Sequence, residues 1–240
     1  MNKFKLKTLL LLGVCLSPLN ADYILEYKMN DGIEKILYHN ASTAKIVTSN
    51  ESSTIYKIKE KTYIVNGNTI VDAEEVGNLV NAYSEQNEVK VEKPTYKIEK
   101  TSKRVKVAGI SGVLWIITGE MEGKPYRQEV VVSNDARIVK VFETMNSMFS
   151  AMSGQNTDEI FEITDGYVPI KMDEFELYSF KETSVKSSEY QLPKTAKKQS
   201  LPTAESIQGM YDSYKQEHPE DEEENAADME KAKDMFKSFF

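Results

Sequence analysis

The sequence predicts a mainly β protein of the α+β class: a strongly curved antiparallel sheet that forms an unclosed β-barrel, with helices covering its concave face. Three observations predict this fold. Apolar residues recur with period two over most of the chain, short turn signals separate these runs, and glycines interrupt the most apolar stretch, where a curved sheet needs bends. Two segments have helical periodicity instead, and we expect their apolar stripes to pack on the sheet.

The first predicted strand is DYILEYKM (22–29), in which Leu25 and Tyr27 share one face. The turn signal Asn30-Asp31-Gly32 follows it. Five more strands are predicted, at 33–39, 44–49, 53–59, 61–66 and 69–73. Their spacing, with short polar turns between them, is typical of a meander.

A helix is predicted over 73–86, where the period changes. Its apolar stripe consists of Val76, Leu79, Val80 and Tyr83. Asp72 is in position to cap the first turn, and the acidic residues Glu74 and Glu75 suit the helix dipole there. We expect the stripe to be buried against the sheet.

The most hydrophobic stretch, 105–152, is the centre of the predicted fold. Strand-like runs at 95–101 and 104–109 precede VLWIITG, which is apolar on both faces; strand-like runs at 126–133 and 137–141 follow it. One face of VLWIITG must meet the sheet interior, and a helix over 143–152 is the candidate cover for the other. That helix has a stripe of Met145, Met148, Phe149 and Met152, which Phe142 continues.

Closing strands are predicted at 161–164, 167–172 and 174–183, with a last irregular strand at 189–192. The predicted β domain therefore covers 22–193. Residues 194–240 are interpreted as a linker and an acidic tail with an amphipathic C-terminal helix, since residues 203–240 carry 11 acidic residues and 4 lysines.

Residues 1–21 have the features of an export signal. Lysines precede a short apolar core, and Ala21 supplies the small residue that a peptidase requires. We therefore expect a periplasmic protein cleaved near Ala21, with no transmembrane span in the mature chain. Two alternatives stay open: a retained anchor, and a lipid-modified Cys15. Cys15 is the only cysteine, so cleavage after Ala21 would leave no disulfide and no thiol.

The sequence contains no motif of a nucleophile, a phosphate-binding loop or a metal site. His39 is interpreted as a surface histidine, and the run 217–224 as a solvated acidic segment rather than a cation site. A net charge of −8 disfavours nucleic acid. We expect a non-enzymatic protein without cofactor or metal, although a carboxylate pair assembled by folding would revive an enzyme.

The methionine-rich helix has two interpretations. Met side chains fill ordinary cores, but they are also frequent on surfaces that accept varied apolar ligands. The second interpretation is a pliable lid over an apolar groove. The apolar stripe over 229–240 has three interpretations: a helix that docks on its own domain, a helix that binds a partner, or a helix on a membrane surface.

The order of elements resembles the LolA-like periplasmic lipoprotein-carrier superfamily, nearest to a group within it described only as a domain of unknown function. An export signal, a meander that opens with Tyr23, Leu25 and Tyr27, and a helix over 73–86 come first. A glycine-punctuated hairpin with Trp115, a helix over 143–152, and closing strands up to Gln191-Leu192-Pro193 follow. The resemblance implies an unclosed β-barrel, plugged by helices, whose concave face holds acyl chains.

We therefore expect a periplasmic binding protein that holds a lipid or lipoprotein acyl chain in an apolar cup. The residues expected to line the cup are Leu25, Tyr27, Val113, Trp115, Ile117, Met145, Met148 and Phe149. The rival hypothesis is an exported structural or interaction module, in which the cup is a filled core and the C-terminal helix binds a protein partner.

Overall fold

The protein is mainly β, as its sequence predicts. A computed structural model describes residues 21–49, 53–86, 95–121, 124–153, 166–203 and 206. Within these ranges, twelve strands form one unclosed sheet in which all pairings but one are antiparallel, and two α-helices accompany it.

The strands are β1 (Asp22–Met29), β2 (Gly32–Asn40), β3 (Thr43–Val47), β4 (Ser53–Ile58), β5 (Lys61–Asn66), β6 (Thr69–Asp72), β7 (Thr95–Val107), β8 (Ile110–Met121), β9 (Lys124–Ser133), β10 (Val168–Lys171), β11 (Phe175–Thr183) and β12 (Lys197–Lys198). The helices are α1 (Ala73–Gln86) and α2 (Ala136–Ser153), and a 3₁₀ helix spans Ser187–Tyr190.

Two meanders make up the sheet, and β1 pairs with β11 where they join. The order is β12-β6-β5-β4-β3-β2-β1-β11-β10-β9-β8-β7, so β12 and β7 lie at the two ends. Although β10, β9 and β8 separate β11 from β7 in this order, Cα atoms of β7 come within 8 Å of Cα atoms of β11.

One row of apolar side chains crosses seven neighbouring strands at matched register positions. It runs through Phe180, Leu25, Ile36, Ile46, Ile55, Ile64 and Val71. Directly opposed residues project to the same face of a sheet, so the row makes that face apolar. Both helices pack on this face, because buried residues of α1 and α2 share clusters with members of the row.

The prediction of α1 is confirmed, including its cap. The backbone N–H of Glu74 donates to Oδ1 of Asp72 at 3.2 Å. Val76 is buried in one cluster with Ile64 of β5 and Val71 of β6. Tertiary packing of an amphipathic face therefore stabilises this helix.

The predicted start of α2 was wrong, because 137–141 is helical and the helix begins at Ala136. Asp135 caps it: the backbone N–H of Arg137 donates to Oδ1 of Asp135 at 3.0 Å. Ile138 and Val141, which are 0% and 1% exposed, extend the apolar stripe by two turns toward the N-terminus. Cap and burial together outweigh the strand preference of these β-branched residues.

The segment after β11 also differs from its prediction. Ser187–Tyr190 is a 3₁₀ helix, and not the irregular strand predicted at 189–192. The chain stays on the sheet beyond Pro193, because β12 pairs in parallel with β6. The runs predicted at 95–101 and 104–109 are one strand, β7, with a register shift between Lys100 and Arg104. Residues 1–20 of the predicted export signal, the predicted strand at 161–164 and residues 207–240 of the predicted tail lie outside the described residues.

Gly112 of β8 is a position where the sheet tolerates no side chain. A Cβ at Gly112 would lie 2.7 Å from the carbonyl oxygen of Val132 and 2.8 Å from Cγ1 of Val131. The backbone of β9 cannot retreat without breaking its pairing with β8. A glycine inside a strand often marks a place where another backbone approaches closely, and Gly112 is such a place.

We expect Gly112→Ala to lower the free energy of unfolding by about 1–3 kcal/mol, the cost of overpacking a tight site. Gly67→Asn is the control, since nothing lies within 4 Å of a Cβ there and Asn tolerates the positive φ of that turn. Urea unfolding of both variants measures the effect. Equal stability of Gly112→Ala and the wild type would contradict this packing.

We expect Asp135→Ala to lower the free energy of unfolding by about 1 kcal/mol, because α2 loses its cap. Hydrogen bonds from the Arg137 side chain lower the pKa of Asp135, against the effect of burial. This contribution is therefore complete above the pKa of the unfolded chain, and it is lost as pH falls through the folded-state pKa.

Asp135→Asn keeps an acceptor at the cap but removes the charge, so its stability should depend less on acid than that of the wild type. Urea unfolding at neutral pH and at about pH 3 tests this. The exposed Asp173→Asn is the control. If the free energy of unfolding of Asp135→Asn falls with pH as much as that of the wild type, Asp135 is not the source of this pH dependence.

Candidate functional site

The main apolar cluster lies between α2 and the sheet, and we call it the α2 cluster. Five of the eight residues predicted to line a cup belong to it. Leu25 and Tyr27 of β1 and Met148 of α2 are buried there, while Met145 and Phe149 are partly buried against it. The structure therefore brings together the β1 and α2 parts of the predicted site.

The other three predicted residues, Val113, Trp115 and Ile117, lie on the opposite face of the sheet. They belong to a second cluster with Val130 and Val132 of β9, here called the Trp115 cluster. The structure therefore brings five of the eight residues together on the α2 side and places the other three on the opposite face.

Side chains alternate between faces along a strand, so Ile110 and Leu114 are the residues of β8 that contact the α2 side. VLWIITG is apolar at odd and even positions alike. The period-two pattern gave no signal for which set faces α2.

A rim of partly buried apolar side chains surrounds the α2 cluster. Its members are Tyr23, Met29, Val105, Val139, Phe142, Met145, Phe149, Met152, Phe175 and Phe180. Aromatic contacts join some of them to the core: the Tyr23 ring stacks on Tyr38 at 5.9 Å, and Tyr27 meets Phe175 edge-on at 5.8 Å. Large side chains of high contact area thus remain accessible around α2.

The centre of the α2 cluster is closed. Leu25 of β1, Ile138 and Met148 of α2, and Ile170 of β10 are all 0% exposed. A water-sized void beside any of these side chains would give it accessible area, so no such void adjoins them. A guest can reach the centre only if α2 or its side chains move.

Polar contacts join the margins of α2 to the sheet. Nζ of Lys57 on β4 donates to Oγ of Ser147 on α2 at 2.6 Å. At the other end of α2, the guanidinium of Arg137 lies 4.8 Å from the centre of the Phe180 ring and pairs with Asp135 at 2.7 Å. These contacts attach α2 to the sheet at its margin.

Glu34 lies opposite Tyr27 in the register of β1 and β2. Burial raises the pKa of the Glu34 carboxyl, and repulsion from Asp31 raises it further. Burial alone raises the pKa of the Tyr27 phenol. This corner of the α2 cluster therefore disfavours negative charge.

The Trp115 cluster is covered by an aromatic and a cationic side chain. The Trp115 ring lies 5.2 Å from the Tyr167 ring, and Nζ of Lys100 lies 5.0 Å from the Trp115 ring centre. Trp115 is only 3% exposed as a result. Its role here is packing of the β7–β10 half of the sheet.

His39 has a partner that its turn context in the sequence did not indicate. Nδ1 of His39 lies 2.6 Å from Oδ1 of Asp22, and Oδ2 of Asp22 accepts from the backbone N–H of Val185 at 2.6 Å. The Tyr190 hydroxyl is buried nearby and, within the described ranges, has no hydrogen-bond partner. Burial and the nearby Asp22 carboxylate raise the pKa of Tyr190.

Asp22 therefore ties the start of β1 to the segment after β11. Asp22 is far in sequence from His39 and farther still from Val185, so no local sequence pattern predicts either contact. A carboxylate that holds an imidazole orients the ring. The described contacts give the pair an anchoring role.

Among the described residues, no group of three or more His, Cys, Asp or Glu side chains could hold a metal ion. No helix in the same ranges has both the length and the hydropathy needed to cross a membrane. No protein-family model, curated protein or solved structure matches the chain. The site must therefore be interpreted from its own geometry.

We expect Glu34→Gln to raise the free energy of unfolding at neutral pH, because it removes a carboxylate whose charged form is disfavoured by burial and by Asp31. The folded-state pKa of Glu34 lies above that of the unfolded chain. Its charge therefore costs stability as pH rises through the folded-state pKa, and the cost vanishes below the unfolded value.

Urea unfolding between about pH 4 and pH 8 measures this dependence. Asp31→Asn removes the repulsion but leaves the Glu34 carboxyl in place. We expect it also to raise the free energy of unfolding at neutral pH, by a smaller amount. A Glu34→Gln variant that is less stable than the wild type at neutral pH would refute the assignment.

Proposed function

We propose that this protein is an exported, non-enzymatic binding protein that holds a hydrophobic ligand, a lipid or lipoprotein acyl chain, between α2 and the sheet. One observation carries the proposal. A helix rich in Met and Phe lies on an apolar sheet face, and ten partly buried apolar side chains, five of them from the helix itself, pack against the cluster between helix and sheet. A surface of this composition suits an apolar ligand better than a charged one.

The proposal includes a sheet curled into an unclosed barrel, with α1 and α2 on its concave side. Four strand-to-strand steps of about 4.8 Å would separate β11 from β7 by about 19 Å in a flat sheet. Their Cα atoms instead approach within 8 Å, which supports strong curvature in this half. The resemblance of the element order to the LolA-like superfamily implies the same architecture.

The ligand would enter by displacing α2 side chains, because the centre of the α2 cluster is closed. Met145, Met148 and Met152 are unbranched and can change rotamer at low cost. Acyl chain burial contributes roughly 25 cal/mol per Å² of apolar area. If an acyl chain replaces these side chains against the sheet, burial of its apolar surface would therefore provide most of the binding free energy.

Lipid content of the protein tests the proposal directly. We expect protein purified from the periplasm without detergent to carry a lipid or fatty acid that mass spectrometry of an organic extract detects. Delipidated protein should bind a fluorescent fatty-acid analogue. Repeated absence of lipid, together with no binding of the analogue, would refute the carrier function.

Two substitutions that introduce a charge test where the ligand binds. Met145→Glu and Phe149→Glu place a carboxylate on the rim of the α2 cluster, and we expect each to weaken binding of the analogue about tenfold. Tyr178→Glu is the control, since Tyr178 is 64% exposed and outside the cluster. Trp115 fluorescence should change little on binding, because Trp115 lies on the other face.

The second candidate is an exported structural or interaction module. The closed centre of the α2 cluster favours it, because a filled core needs no ligand. The partner-binding helix of this hypothesis falls in 207–240, outside the described residues. Deleting 203–240 tests the module: loss of a co-purified protein with unchanged lipid content supports it, and an unchanged amount of the co-purified protein contradicts it.

A further inference from the structure

Residues 185–201, here called the strap, run from β1 in the middle of the sheet to β6 near its end. The strap begins at Val185, whose backbone N–H donates to Oδ2 of Asp22 on β1 at 2.6 Å. In the sheet order β1 and β6 are five steps apart, which is about 24 Å at about 4.8 Å per step. The strap therefore links parts of the sheet that do not touch each other.

The middle of the strap packs on the face of the sheet opposite α1 and α2. Its apolar residues there are Leu192 and Ala196, which pack against a cluster that includes the buried Val65 of β5. Val65 follows Ile64, whose side chain packs with α1, and successive residues of a strand point to opposite faces. The strap therefore covers apolar side chains that the helices do not.

The end of the strap turns round the edge of the sheet and reaches the helices. The backbone N–H groups of Lys197 and Gln199 donate to carbonyl oxygens at or next to β6, both at 2.8 Å, so β12 lies beside β6. Beyond β12, Leu201 packs against the buried cluster formed by α1, β5 and β6, and Met152 of α2 packs against the same cluster. The strap thus ends where the C-terminal half of α2 is held.

Two features favour release of the strap. Strand β12 has only two residues, and its pairing with β6 is parallel, an arrangement that is less stable per residue than antiparallel pairing. The strap also buries Tyr190, whose hydroxyl has no hydrogen-bond partner among the described residues. A buried hydroxyl without a partner lowers the stability of the closed strap, because opening returns it to water.

We propose that the strap opens as one unit and that its release frees the C-terminal half of α2 to move. Leu201 and Met152 pack against the same cluster, so departure of Leu201 leaves space into which Met152 can turn, and methionine changes rotamer at low cost. An open strap would then admit the acyl chain to the α2 cluster, an inference that rests on the proposed function. The coupling between strap and helix needs no ligand.

Amide hydrogen exchange of the full chain tests the release of the strap. We expect the amides of Lys197 and Gln199 to report one opening equilibrium that is insensitive to low urea, and to exchange faster than the amides of β5. Exchange of these amides only through global unfolding, with the urea sensitivity of β5, would overturn the proposal.

Asp22→Ala removes the anchor at the other end of the strap. We expect it to speed exchange at Lys197 and Gln199 about tenfold, the size of one hydrogen bond to a charged group. Tyr190→Phe removes the hydroxyl but keeps the ring, so it should slow the same exchange. Asp173→Ala makes the same change as Asp22→Ala at an exposed position outside the strap and should leave the exchange unchanged.

Unchanged exchange at β12 in Asp22→Ala would show that the strap does not open as one unit, and would overturn the proposal. Faster exchange in Tyr190→Phe would overturn it as well. If Asp22→Ala fails to fold, the unaltered chain and Tyr190→Phe still decide.

A disulfide that holds the strap closed tests its effect on α2. Thr69 of β6 and Lys197 of β12 are register partners. Neighbouring strands lie about 4.8 Å apart, within the Cα span of a disulfide. Thr69→Cys with Lys197→Cys, in a chain that also carries Cys15→Ser, provides the only two cysteines. The reduced form of the same protein is the matched control.

We expect the amides of 145–153 to exchange more slowly in the oxidised form than in the reduced form. The oxidised form should also bind the fluorescent fatty-acid analogue about tenfold more slowly, because only molecules with an open strap admit it. If the disulfide does not form, Leu201→Ala gives the converse test and should speed exchange over 145–153.

The two measurements separate this inference from the proposed function. Equal exchange over 145–153 in the oxidised and reduced forms would overturn the coupling of strap and helix. Different exchange, with no binding of the analogue by either form, would support the coupling and refute the carrier function. Different exchange with equal binding rates would overturn control of ligand entry by the strap.

Discussion

The structure depends on one alignment: the register that places Leu25, Ile36, Ile46 and Ile55 opposite one another across four strands. A shift of one residue in any pairing would turn that strand's apolar set to the other face and expose it. Tight turns hold the register. At the β7–β8 turn, Ala108 adopts a φ of 48°, which costs strain that the pairing on both sides must offset.

Elements with a local signal could be predicted from the sequence. The meander strands and α1 follow from period, turn residues and the cap at Asp72, all of which operate over a few neighbouring positions. The start of α2 could not be predicted in the same way. Ile138, Val139 and Val141 favour a strand by intrinsic preference, and only burial against the sheet, together with the Asp135 cap, makes them helical.

The candidate site shows where such reasoning ends. On β1 the alternation of apolar and polar residues predicted that Leu25 and Tyr27 share one face, and both are buried in the α2 cluster. On β8 both faces are apolar, so the choice between Leu114 and Trp115 depended on partners distant in sequence. The close packing of Gly112 against β9 and the contact of Trp115 with Tyr167 fix the face. The glycine indicates a close approach but not on which face it occurs, and Tyr167 lies outside β8.

The composition of the two sides of the α2 cluster bears on what the cluster is for. The sheet contributes Ile and Leu at its centre, side chains with few rotamers that define one surface. The N-terminal half of the helix contributes the branched Ile138 and Val141, whereas its C-terminal half contributes Met145, Met148 and Met152 against that surface. If rigid packing were the only requirement, branched residues on α2 would specify it better, because methionine loses more rotamer freedom on burial. A stiff wall that faces the adaptable C-terminal half of the helix is compatible with the proposal that this half repacks around an apolar ligand.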